Sequence, residues 1–254
     1  MTEAAKTDLV KYATHLGDNA LIMGHRLSEW CYKAPTLELD VAMSNCALDY
    51  IGQARELFTY AAEVEGEGKT EDDVAYLRDE MDYRNVLITE MPNKDWGYSM
   101  AKLFFYSAFA KLFYEKLSES SDETLAAIGA KSLKEVKYHL RFSSEWLIRL
   151  GDGTEESHER AQKAVNDVWM FTGEMFTMTD VEKRLLESGV AVDTEALKAD
   201  WDDIVDEVLA EATLKRPENN WMQSGGKEGR HSEYMGYILS ELQYMQRRYP
   251  GCKW

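Results

Sequence analysis

"KEVKYHLRFSSEWL" (residues 134–147) places Glu135 and His139 one helical turn apart, in a run whose apolar residues recur at three- and four-residue steps. Helical bundles that hold two metal ions build their sites from glutamates and Glu-x-x-His pairs projecting inward from four helices. The spacing here is one residue too long. Glu135 and His139 form Glu-x-x-x-His, and the residue three before the histidine is Val136, which has no donor atom. Whether the stretch belongs to such a bundle, and whether it is half of a metal site, depends on the segments around it.

Around it, Leu125, Ser132, His139 and Trp146 interleave with Gly129, Val136, Ser143 and Leu150, which predicts a helix over about 122–150 with His139 turned inward and Gly151 as its stop. The preceding segment, about 96–118, contains "LFFYSAFAKLF" (103–113) and is apolar nearly all round, so it is central in a core or covered by another subunit. Nearer the N-terminus, Leu9, Ala13, Leu16, Ala20, Met23, Leu27 and Trp30 form one seam of a long helix that ends before Pro35. A second helix, about 37–65, carries Leu39, Met43, Cys46, Tyr50, Leu57 and Ala61 on one face. The more charged segment at about 71–90 stops at Pro92 and reads as a crossover.

No window alternates with a period of two, so the chain is expected to be all-α. Two long helix pairs joined by a crossover describe a ferritin-like four-helix bundle. Further helices are predicted at about 155–176, 179–188, 194–214 and 230–248, with the loop "RPENNWMQSGGKEGR" (216–230) before the last. The expected organisation is a single domain over residues 1–254, with a core bundle at about 6–150 and a C-terminal helical extension at about 154–254.

With 46 acidic and 29 basic side chains the net charge is −17, which repels nucleic acid and anionic lipid surfaces. No apolar run approaches the roughly 18 residues of a membrane span, and the N-terminal stretch lacks the pattern of a secretory signal. The widely spaced Cys31, Cys46 and Cys252 fit reduced thiols. These features together predict a cytoplasmic protein with neither a nucleic acid nor a membrane partner. Most of Trp30, Trp146, Trp169, Trp201, Trp221 and Trp254 are expected in the core, though aromatics are also enriched where subunits meet.

A two-metal site needs carboxylates from all four bundle helices. The first helix offers His25 and Glu29, and the second offers Glu38, Asp40, Asp49, Glu56 and Glu63 without any histidine. From Trp96 to Tyr114 there is no Asp, Glu or His. Two Glu-x-x-His spacings, Glu155 to His158 and Glu228 to His231, stand beside glycines at predicted helix starts, where acidic residues favour the helix dipole. No catalytic, cofactor-binding or metal-ligating residue is therefore assigned. Glu29, Asp49 and His139 remain as interior polar candidates that hydrogen-bond one another, flank the core partly wet, or occupy a lost metal site. No Gly-rich phosphate loop or Gly-x-Ser-x-Gly elbow is present. "SGGKEGRH" (224–231) either cradles an anion on backbone amides or caps the last helix.

Three long strings, "LGDNALIMGHRLSEWCYKAPTLELDVAMSNCALDYIGQARELFTYAAE" (16–63), "KEVKYHLRFSSEWLIRLGDGTEES" (134–157) and "GGKEGRHSEYMGYILSELQYMQRRYPG" (225–251), carry a further signal. Over nearly its whole length the chain resembles the C subunits of bacterial ring 1,2-phenylacetyl-CoA epoxidases, multicomponent monooxygenases of phenylacetate degradation. The resemblance implies a ferritin-like fold and a non-catalytic, metal-free role beside a homologous A subunit that carries the di-iron centre and binds the thioester. A B subunit and a flavin and iron–sulfur reductase would complete the complex, which inserts one oxygen atom of dioxygen into the aromatic ring.

Against the ligand pattern of the catalytic relatives, Glu29 and His139 match in kind. Ile51 and Ala54 stand where the Glu-x-x-His of the second helix belongs, and Val136 where the partner of His139 belongs. The segment at 96–118 and the first two helices are the expected contact surfaces, and a homodimer is a further possibility. Two other readings are an autonomous di-metal carboxylate oxidase or oxygenase and a ferritin-like binding module.

Overall fold

The computed structural model describes residues 2–252 and contains eleven α-helices and no strand among them. Trp254 lies outside the described residues. The first pair comprises α1 (Glu3–Ser28) and α2 (Leu37–Glu65), packed along each other. Their approach is close because Gly17 leaves room for the Phe58 ring, which would stand 2.4 Å from a Cβ at that position. The second pair comprises α5 (Trp96–Leu117) and α6 (Glu123–Gly151). Asp95 caps α5 through the Tyr98 amide, and Asp122 caps α6 through Leu125 while accepting the Tyr60 hydroxyl of α2.

The predicted crossover helix is broken into α3 (Glu71–Tyr76), a 3₁₀ turn at Glu80–Asp82 and α4 (Leu87–Glu90). Its polar side chains have partners that a continuous helix would not let them reach. Thr70–Asp73 and Asp79–Asp82 close capping boxes at two of the starts. Arg78 turns inward onto buried Asp18 of α1, both carboxylate oxygens of which it engages.

The extension folds as α7 (Glu155–Trp169), α8 (Asp180–Glu187), α9 (Lys198–Glu211), α10 (Glu233–Leu242) and α11 (Tyr244–Arg248), with 3₁₀ turns at Gly173–Phe176 and Gly226–Glu228. The helix predicted at 155–176 thus ends at Trp169, and the one at 230–248 breaks at Gln243. The amide of Gln243 donates to the Arg78 carbonyl and the Tyr83 hydroxyl.

This extension decides how α5 is covered. Every residue from Gly97 to Ala108 is buried, with α6, α7 and α9 packed on the helix. Trp201 of α9 donates its indole N–H to the Phe105 carbonyl at 3.0 Å, and its ring meets Phe105, Trp169 and Phe176. The apolar girdle at 96–118 is therefore covered from within the chain, which corrects its expected use as a contact between subunits. One hydrophobic cluster takes in residues from Leu9 to Leu239. No helix among the described residues is long and apolar enough to cross a membrane.

Candidate functional site

The interior polar candidates do not meet at one point. His139, fully buried on α6, donates its Nε2 proton to Asp49 of α2 at 2.9 Å and lies against the Tyr50 ring. Its other nitrogen, Nδ1, has no partner. Glu135 turns to Gln53, whose amide donates to it at 2.8 Å and whose carbonyl accepts the Tyr114 hydroxyl. Burial raises the Glu135 carboxyl above its ordinary range; the Gln53 hydrogen bond opposes the shift, and nearby Asp49 adds to it. The glutamate and histidine of the opening stretch thus serve two neighbouring hydrogen-bonded pairs.

Glu29 corrects its assignment as an interior group. It follows the last turn of α1 with its side chain 41% exposed, and it pairs with Arg26 at 2.5 Å and with Asn93. Sequence reading missed Lys102 of α5 altogether. Fully buried, it donates to the Met91 carbonyl at 2.7 Å and to Asn93 at 3.0 Å. Burial, and then the charge of Arg26, bring its ammonium down to about 7, against the favourable influence of Glu29. It is one of just two charged residues between Trp96 and Tyr114, Lys111 being the other, and standing out in an apolar run was the signal that could have found it.

This donor set does not fit a two-metal centre. The histidine is engaged by Asp49, Gln53 fills the place beside Glu135, and α5 brings no carboxylate from Trp96 to Tyr114. Among the described residues no three His, Cys, Asp or Glu side chains stand where they could hold one ion. The Glu-x-x-His spacings are not pairs in space either. His158 bonds the Gly151 carbonyl, and Glu228 pairs with Arg230.

His231 instead reaches back to α4, with Nδ1 2.7 Å from Glu90 and Nε2 3.0 Å from the Tyr83 carbonyl. A carbonyl only accepts, so Nε2 carries a proton. Glu90 also accepts from the Ser232 amide and Asn85, a donor set that suits a carboxylate facing an imidazolium. Burial opposes that charge, but Glu90 and the Tyr83 carbonyl outweigh it and raise the His231 pKa above its ordinary 6.5.

A histidine with a raised native pKa contributes stability that is fully present below the unfolded value and is lost as pH rises through the native one. The stability advantage of the wild type over His231→Gln is therefore expected to shrink between pH 6.5 and the alkaline range. Urea unfolding at mildly acidic and alkaline pH checks this, and a gap that widens with pH would refute the imidazolium assignment.

The glycine loop does cradle an anion, and that anion is part of the chain. Glu174, almost fully buried, accepts from the backbone amides of Gly225, Lys227 and Leu87. Gly226 sits so close to the Asn85 carbonyl that a Cβ would stand 2.2 Å from it. The loop is a structural joint between the crossover and the extension.

A crossover between two long helix pairs, with polar groups paired across the bundle, defines a ferritin-like helical bundle. Its interior is organised around side-chain pairs. The sequence matches the phenylacetic acid catabolic protein family over residues 1–254, and the chain belongs to that family. It is 45% identical over 246 residues to the C subunit of the 1,2-phenylacetyl-CoA epoxidase of Escherichia coli (strain K12), a match that covers 97% of this chain and 99% of the relative.

Proposed function

We propose that the chain is the metal-free, non-catalytic subunit of a cytoplasmic phenylacetyl-CoA epoxidase. In this reading it packs against a homologous di-iron catalytic A subunit, in a complex completed by a B subunit and a reductase. The observation that carries the reading is the bundle interior, where Gln53 holds Glu135, Asp49 holds His139, and α5 offers no Asp or Glu from Trp96 to Tyr114 to help neutralise two cations. Similarity to an epoxidase C subunit along nearly the whole chain supports the assignment to such a complex.

The outward face of α2 is the surface we assign to the catalytic subunit. Leu37, Val41, Asn45, Leu48 and Gly52 follow one another at three- and four-residue steps with no charge among them, in a chain that is 30% charged. Leu37 is 77%, Val41 52% and Leu48 64% exposed. Tyr32, 97% exposed in the turn before α2, holds a left-handed backbone conformation (φ 68°) that an aromatic residue adopts only under constraint. Aliphatic and aromatic side chains on an uncharged lane have the composition of an interface core.

Metal analysis and a reductase-coupled epoxidation assay, on this chain alone and after mixing with the catalytic subunit, test the proposal. Negligible iron in the isolated chain, with activity only in the mixture, is the expected result. Stoichiometric iron and turnover by the isolated chain would make it an oxygenase in its own right.

A further inference from the structure

Between α1, the crossover, α5 and the extension lies a cavity of about 30 Å³ that none of the pairs above uses. The rings of Phe109 and Phe113 wall it on the α5 side, and four polar residues that line it are incompletely satisfied. Thr194 is buried, yet its hydroxyl has no hydrogen-bond partner. The Tyr106 hydroxyl and the His15 imidazole likewise bond to no described residue.

Arg84 is the fourth. Only its Nη1 is engaged, by the carbonyls of Met81 and Tyr83, and no carboxylate among the described residues pairs with it. Gly229 leaves space for the guanidinium, since a Cβ there would fall 2.5 Å from Nη1. Nε and Nη2 keep their donors unused.

The charge balance of the cavity is positive. Glu182 and Lys227 also line it, but they neutralise each other at 3.0 Å, and Glu182 is further held by the Thr179 amide. Arg84 is left as the unpaired charge. Burial first, and then the charges of Arg84, Arg78, Lys227 and Lys11, push the His15 imidazole down to about 3, so it is neutral and able to donate one N–H.

An unpaired guanidinium lining the same cavity as two unpartnered hydroxyls matches a planar oxyanion, which a guanidinium binds through parallel N–H donors. Size sets the upper limit. One water takes about 10–15 Å³ of such space, so the cavity accommodates roughly two to three water-sized atoms.

We propose that this cavity is a binding site for a small planar oxyanion, a carboxylate of formate size, held by Arg84 with the hydroxyls of Thr194 and Tyr106. The site is independent of the epoxidase assignment, because it draws neither on the α2 face nor on the Asp49–His139 and Gln53–Glu135 pairs.

Histidine NMR of the full chain, titrated with sodium formate to roughly 50 mM, tests it, since a three-atom ligand binds no more tightly than about millimolar. Ionic strength is held with sodium sulfate, whose anion is too large for the cavity. The chain has five histidines, and His15→Gln identifies the resonance concerned. A saturable shift of His15 is expected, with His158, whose partner Gly151 does not line the cavity, unmoved. Arg84→Gln is expected to weaken binding by about tenfold or more, and the near-isosteric Thr194→Val to weaken it severalfold. No saturable movement of His15 would mean that the cavity holds water alone and would overturn the proposal. Formate binding to a folded Arg84→Gln or Thr194→Val variant with wild-type affinity would overturn it as well.

Discussion

Asp18→Ala is expected to destabilise the chain by about 3–5 kcal/mol, the cost of breaking a buried ion pair from one side. The Asp18 side chain is fully buried and accepts both guanidinium nitrogens of Arg78 and the backbone amide of Arg84. Removing the carboxylate leaves the Arg78 guanidinium, which also lies over the Tyr83 ring, without its counter-charge, and unties the crossover from α1. For a chain of this length the melting temperature should fall by roughly 6–20 °C. Asp18→Asn keeps the volume and some acceptor capacity, and should fall between the wild type and the alanine variant. Calorimetry on the three proteins reads the result. A melting temperature for Asp18→Ala within about 1 °C of wild type would show that this pair does not hold the crossover.

The second large effect concerns association. Val41→Asp combined with Leu48→Asp puts two charges on the uncharged lane of α2, and affinity for the catalytic subunit should drop by about two orders of magnitude or more. Both side chains are more than half exposed and opposite the α1 contact, so the unfolding midpoint of the isolated chain should stay near wild type. Titration calorimetry against the catalytic subunit, with thermal melts as the control, separates the two effects. Affinity within about threefold of wild type, for a variant that remains folded, would move the interface away from α2.

The two experiments probe opposite uses of polar and apolar groups. At the crossover, carboxylates are buried and matched by cations or amides: Asp18 with Arg78, Glu90 with His231, and Glu174 with three backbone N–H groups. On α2, apolar side chains are left in solvent. Buried polar groups without partners would be costly, so the first arrangement is a condition of folding. The second contributes little to the isolated fold, and under the proposed function it is the face that meets a partner.

Three of the four long helices are written in the local apolar repeats of the chain, and the fourth in a run that is apolar nearly all round. The steps along Leu9 to Leu27, Leu39 to Ala61 and Leu125 to Ser143 placed α1, α2 and α6 with the expected faces inward. Residue order also limits what can be built, since a run from Trp96 to Tyr114 without a carboxylate supplies no anionic ligand however it folds. Partner choice was not legible. Arg78 and Asp18 are 60 residues apart, and His231 and Glu90 are 141 apart, and no periodicity links residues at such distances. Nor did periodicity distinguish exposed Glu29 from buried Lys102, because a residue on the flank of a seam turns inward or outward according to what packs beside it. Long-range packing settled the rest: α5 is covered by the chain's own extension, the crossover breaks where buried carboxylates find their partners, and the outer side of α2 keeps Leu37, Val41 and Leu48 exposed. Helix formation follows short-range repeats, whereas these outcomes depend on which desolvated groups find a counterpart once distant segments are brought together.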